Sequence, residues 1–119
     1  MADLPALERL LKEIETLDGV REAVLVGRSG FHIAGRLPKD VNSETFITMF
    51  AVLLGSAVEA ADTLHDALQS VVIHMERSKV VVVADGPKAL FVLHVSPDAD
   101  VAKIRAKVAT YGAKLEELL

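Results

Sequence analysis

The sequence predicts an α/β three-layer sandwich: a five-stranded antiparallel sheet in the order α-β-β-α-β-β-β-α, with one long helix on one face and two helices on the other. Three observations carry this reading. Apolar residues recur at helical spacing in three segments, and five short apolar runs bounded by turn residues read as strands. Three helices are also what both faces of a single sheet need for cover. At 119 residues the chain is long enough for one real core, and without repeats or low-complexity stretches residues 1–119 read as a single domain.

Asp3 and Pro5 are start signals for a first helix whose stripe Leu4, Leu7, Leu10, Leu11, Ile14 and Leu17 runs until Gly19. Val20 to Arg28 and Phe31 to Arg36 read as a hairpin turning at Ser29-Gly30. Asn42 and Ser43 are good caps for a second helix, expected from about Glu44 to Leu68. That helix is apolar on more than one side. One stripe is Phe46, Phe50, Leu53, Ala57, Ala61, Leu64 and Leu68, the expected sheet-facing side; the other is Ile47, Ala51, Leu54 and Val58. The second stripe, with the small Gly55 and Ser56 beside it, predicts a partner helix at close approach.

Gln69 to Arg77, Lys79 to Ala84 and Ala89 to Ser96 then read as an antiparallel meander. Val80 to Val83 and Leu90 to Leu93 are continuously apolar, which predicts interior strands covered on both faces. Val71, Ile73 and Met75 alternate with Val72, His74 and Glu76, as expected nearer an edge. A last helix, capped around Ser96-Pro97-Asp98, carries the stripe Val101, Ile104, Val108, Tyr111, Leu115 and Leu118 to the end of the chain.

Composition narrows the function. A hydrophobic share of 51% with 25% charged residues predicts a folded chain. With no cysteine there is no disulfide framework, thiolate nucleophile or zinc-thiolate site, and an intracellular, cytoplasmic address is expected. The net charge of -4 argues against nucleic acid, as do the four Phe, one Tyr and absence of Trp. The N-terminus has no secretory pattern, and the uncharged run Thr45 to Val58 is shorter than the roughly 20 residues a bilayer span needs. A soluble protein without membrane insertion is therefore expected.

No chemical motif stands out. His32, His65, His74 and His94 lack metal-ligand spacing, neither GxxxxGK[ST] nor GxGxxG occurs, and no serine lies in a GxSxG elbow. Gly27-Arg28-Ser29-Gly30 has the form of a GxxG loop but joins two strands, so it reads as a turn. Arg28 and Arg36, at the ends of the hairpin, read as solvated strand-end residues rather than arginine fingers. No catalysis, cofactor or metal is expected.

In this order the segments resemble the Roadblock, or dynein-light-chain, family. Leu17-Asp18-Gly19-Val20 is similar to its "pGV" entry, and Ser29-Gly30-Phe31-His32-Ile33-Ala34 to its "DGlpla" hairpin, with Ser29 where Asp is common. The alanine-rich second helix, the valine meander with Asp85-Gly86, and Asp100 to Arg105 also match, so the resemblance covers Leu7 to Leu118. It implies a homodimer in which third strands and second helices pair across a two-fold axis into a ten-stranded sheet. The implied interface is Ile47, Ala51, Leu54, Gly55 and Val58 of the helix with Val71, Ile73 and Met75 of the strand.

The resemblance further implies a noncatalytic regulator or scaffold that binds a small Ras-like GTPase and modulates its nucleotide cycle, as in the prokaryotic GTPase-associated members. A structural dimerisation or adaptor module of a larger complex is the alternative. Thr48, Val52, Gly55, Glu59 and Asp62, between the two apolar stripes, are the candidate partner-binding residues. A small-ligand sensor is disfavoured by the dense Val, Leu and Ala filling.

Overall fold

A computed structural model describes residues 2–119. The elements in chain order are α1 (Leu4–Glu15), β1 (Val20–Gly27), β2 (Phe31–Gly35), α2 (Ser43–Thr63), β3 (Ser70–His74), β4 (Lys79–Asp85), β5 (Ala89–Val95), α3 (Val101–Ala109) and α4 (Gly112–Leu118). The strands form one antiparallel sheet in the order β2-β1-β5-β4-β3. The two continuously apolar strands, β4 and β5, are interior, and β3 is an edge, as their patterns predict.

Strand alternation divides the apolar residues between two cores. On one face Leu25, Val81, Phe91 and Leu93 pack with Leu7, Leu11 and Ile14 of α1, Ile104 and Val108 of α3, and Leu115 of α4. On the other, Val24, Val26, Val80, Val82, Leu90 and Val92 pack with Ile47 and Leu54 of α2. Each fully buried aliphatic side chain contributes about 1.5–3 kcal/mol, so the interior strands anchor both layers.

Local chemistry sets the helix starts. The Asp3 carboxylate accepts from the Ala6 amide at 3.2 Å, Pro5 sits in the first turn of α1, and Asn42 accepts from Thr45 at 3.0 Å to begin α2. α1 is tied to the hairpin by its own carboxylates: Glu15 accepts from the Ala23 amide and Glu8 from the Gly35 amide. Its start also meets the far end of the chain, the Asp3 amide donating to the Leu118 carbonyl at 2.8 Å.

Three helix boundaries differ from the sequence reading. α1 ends at Glu15, with Thr16 as its C-cap, short of the expected stop at Gly19. α2 ends at Thr63 rather than near Leu68, because the Leu64 amide closes the last turn onto Ala60 and Ala61 and His65 takes a left-handed φ of 57°. Leu64 is consequently 77% exposed instead of continuing a buried stripe. The expected single C-terminal helix is two: Thr110 turns its hydroxyl and amide back to the Lys107 carbonyl, and α4 starts again at Gly112. Tyr111, at the break, is buried, and burial followed by the Glu13 carboxylate raises its phenol above the ordinary value, so the ring stays neutral. The strands β1, β2, β3 and β5 also end one to three residues earlier than expected.

Candidate protein-interaction surface

α2 and β3 carry the residues that the sequence reading assigned to interfaces. β3 pairs with β4 without a register break, from Ser70 opposite Val83 to His74 opposite Lys79, and its other side has no strand neighbour among the described residues. Val71 and Ile73 are half-buried toward α2, while Val72 leans on the opposite core. Met75 lies just past the strand, 47% exposed, its amide donating to the Ser78 carbonyl in the turn. The row of free backbone groups along β3 is a template for another strand.

Both stripes of α2 reach the sheet: Phe46, Phe50 and Leu68 of the expected one pack against its core, and the stripe that the sequence reading assigned to a partner lies deepest. Ile47 and Leu54, assigned there to a partner, are 5% and 2% exposed and lie in the protomer's own core, with Val58 half-buried beside them. Ala51 turns toward the β1–β2 hairpin, 3.8 Å from where a side chain at Gly30 would begin. The physical reason is size: the compact aliphatics Ile47 and Leu54 sit closest to the valine face of the sheet, and the bulkier rings of Phe46 and Phe50 fill the margin, 4.7 Å apart.

The unpartnered stripe is therefore the flank facing β3. Met49 is 65% and Leu53 36% exposed there, and both line a groove of about 340 Å³ with Val41, Phe46, Phe50 and Ile73. Met49 is the residue the sequence reading missed. Its spacing of four to Leu53 and seven to Ser56 on an uncharged run was the available signal. Gly55 belongs to the other flank, where nothing lies within 4 Å of the position a side chain would take.

The candidate partner-binding residues Thr48, Val52, Gly55, Glu59 and Asp62 are all exposed, Val52 by 64%. Val52 lies on the outer crest of α2, and the other four run down the flank away from β3. The helix is long and apolar enough, by length and composition, to cross a bilayer. Its Ile47–Leu54 side is nevertheless packed on the sheet, and Glu44, Glu59 and Asp62 punctuate the rest.

The remaining candidates do not assemble into a reacting centre. Arg28 donates from Nε to the Gly86 carbonyl at 2.9 Å, and Arg36 reaches the Arg21 carbonyl and Glu15, so both guanidinium groups are engaged within the protomer. His32 donates from Nε2 to the Gly35 carbonyl, and His94 pairs with Glu22 at 2.8 Å on the sheet. His65 lies beyond the end of α2 rather than on it. Among the described residues no three His, Asp or Glu side chains converge as metal ligands. An open groove of about 780 Å³ lies between the α1–β1 and β5–α3 connections, lined by Asp18, Asp98, Asp100, Lys103 and Lys107.

Comparison with known proteins agrees with this geometry. The Roadblock/LC7 domain model matches residues 6–94. An uncharacterised protein of Methanocaldococcus jannaschii is 31% identical over 88 residues, covering 73% of this chain and 75% of its own. Among solved structures, an MglB with a tetrameric arrangement is 28% identical, with a TM-score of 0.79 over 93% of this chain and 88% of its own. The gliding protein MglB of Thermus thermophilus is 26% identical, with a TM-score of 0.79 over 92% of this chain and 85% of its own. With its five-stranded sheet between helix layers, its open third strand and these matches over most of its length, the chain belongs to the Roadblock/LC7 domain family.

Proposed function

We propose that the chain is a noncatalytic homodimeric regulator or scaffold that binds a small Ras-like GTPase and modulates its nucleotide cycle. The observation that carries the reading is the juxtaposition of two unsatisfied features, the β3 edge and the apolar flank of α2 beside it. A two-fold axis at that corner lets β3 pair with its copy while Met49 and Leu53 pack against the second α2. Family membership and the likeness to MglB, solved once in a tetrameric arrangement, support assembly through self-contact.

In this reading the GTPase brings its own phosphate loop and magnesium, and the dimer acts on the switch segments that order around the γ-phosphate. Dimerisation consumes the β3 flank and leaves the crest and far flank of α2, with Val52 at the centre and Glu59 and Asp62 at the rim. The protein would act in the cytoplasm.

Light scattering after gel filtration should give about twice 12.8 kDa at micromolar concentration. A monomer would sink the dimer. Titration with a candidate GTPase, loaded with GDP or a nonhydrolysable GTP analogue, tests the rest. Val52→Asp puts an unpaired charge into the desolvated centre and should weaken docking by about 2 kcal/mol, roughly thirtyfold. Unchanged affinity with the dimer intact would exclude this face as the docking site.

A further inference from the structure

We infer that the α2 face attracts and docks a lysine- and arginine-rich surface of a partner protein, so that binding is driven by charge as well as by the apolar crest. The inference rests on the dimer-and-docking reading above and adds the chemistry of the partner.

The charges of the chain are segregated by layer. From residue 40 to residue 76, which spans α2, its flanks and β3, there are six carboxylates and no Lys or Arg, so all 13 basic residues lie elsewhere. Three of those carboxylates, Glu44, Glu59 and Asp62, recur at helical spacing on the flank of α2 away from β3 and are exposed. They take part in no ion pair among the described residues; the two pairs present, Arg36–Glu15 and His94–Glu22, belong to other elements. Between them the position of Gly55 is open to solvent, and Gly30 of the hairpin turn lies beside Ala51, with Phe31, 54% exposed, following it in the chain.

The placement of two of the three is also unfavourable within the protomer, while Glu44 sits in the first turn, where the dipole favours it. Glu59 and Asp62 sit toward the C-terminal, negative end of the helix dipole, and the last turn of α2 carries no basic residue to offset them. Two copies meeting at the β3 corner would bring both sets of carboxylates to the same side and strengthen the field. A cationic protein surface relieves this repulsion on binding, whereas nucleic acid and anionic lipid are turned away. Two salt dependences of opposite sign follow: salt should tighten the dimer by screening like charges and weaken the partner.

The test uses the full chain and a fluorescein-labelled amphipathic peptide of Lys and Leu, read by anisotropy between about 0.01 M and about 0.15 M salt. Glu44→Lys, Glu59→Lys and Asp62→Lys are combined in one variant. A control combining Asp18→Lys, Asp98→Lys and Glu117→Lys makes the same change in net charge at exposed positions outside α2. The expected result is binding by wild type and control, at least about tenfold weaker binding by the α2 variant, and loss of affinity with salt. Equal weakening in both variants, or no binding by wild type, overturns the inference, as does conversion of the α2 variant to a monomer, which would assign these charges to the self-contact. A Ras-like GTPase that binds wild type and α2 variant alike would remove the charge inference and leave the proposed function standing. Peptide binding without any GTPase binding would do the reverse.

Discussion

The two edges of the sheet face the same hazard, a row of unpaired backbone groups, and the chain treats them differently. The β2 edge is irregular. Its register against β1 shifts between Leu25 and Val26, Gly35 ends it with φ of 97°, and the His32 ring covers the Gly35 carbonyl at 2.9 Å. Pro38 follows three residues later. The β3 edge has none of these devices: Ser70 to His74 pairs in unbroken register, its centre is Val-Val-Ile, and neither glycine, proline nor lysine interrupts it. An edge that is blunted is protected against pairing, and one left straight and β-branched stays open to it.

The contrast breaks most severely at Gly35. A Cβ there would lie 2.4 Å from the Ala23 carbonyl, a backbone atom fixed by the sheet, in a conformation L-residues avoid. Gly35→Ala should cost about 3 kcal/mol in urea unfolding while leaving the self-association of the folded fraction unchanged. A change in dimer affinity would mean that the β2 edge takes part in assembly. Next comes Met49→Asp on the flank of α2, which should weaken the dimer by about 2 kcal/mol, or thirtyfold, in sedimentation equilibrium. Its circular dichroism should remain that of wild type, since Met49 is 65% exposed in the protomer. The smallest effect belongs to His74→Lys, a cation placed at the exposed end of the open edge. It should loosen the dimer about threefold by the same rule that natural edges follow. Tightening instead would show that β3 is not the seam.

Most of the architecture was legible in the residues because strand burial writes itself into composition. Val80 to Val83 and Leu90 to Leu93 have no polar alternation, and both strands are interior. The errors lie where two arrangements share one pattern. Both stripes of α2 are apolar at helical spacing, and only the fit of Ile47 and Leu54 onto the valine face decides which of them goes inward. The two aromatic side chains Phe46 and Phe50, which pack at the margin of that core, made their stripe look like its centre. The break between α3 and α4 was hidden for a related reason: Val108, Tyr111 and Leu115 keep their stripe across it, so periodicity passes through a turn that Thr110 and Gly112 make. The β3 flank of α2 was missed with its stripe, although apolar character on a second side was readable from the helix alone.

The hydrogen bond between the Asp3 amide and the Leu118 carbonyl brings the two ends of the polypeptide together on the layer opposite α2. Topologically the chain is almost a ring. A short linker across that junction should give a circular permutant, opened for instance in the exposed connection at Lys39-Asp40, in which every strand pairing is retained. The same geometry means that a fluorophore, an affinity tag or a fused domain attached at either end departs from one patch of surface and leaves the α2 side unobstructed.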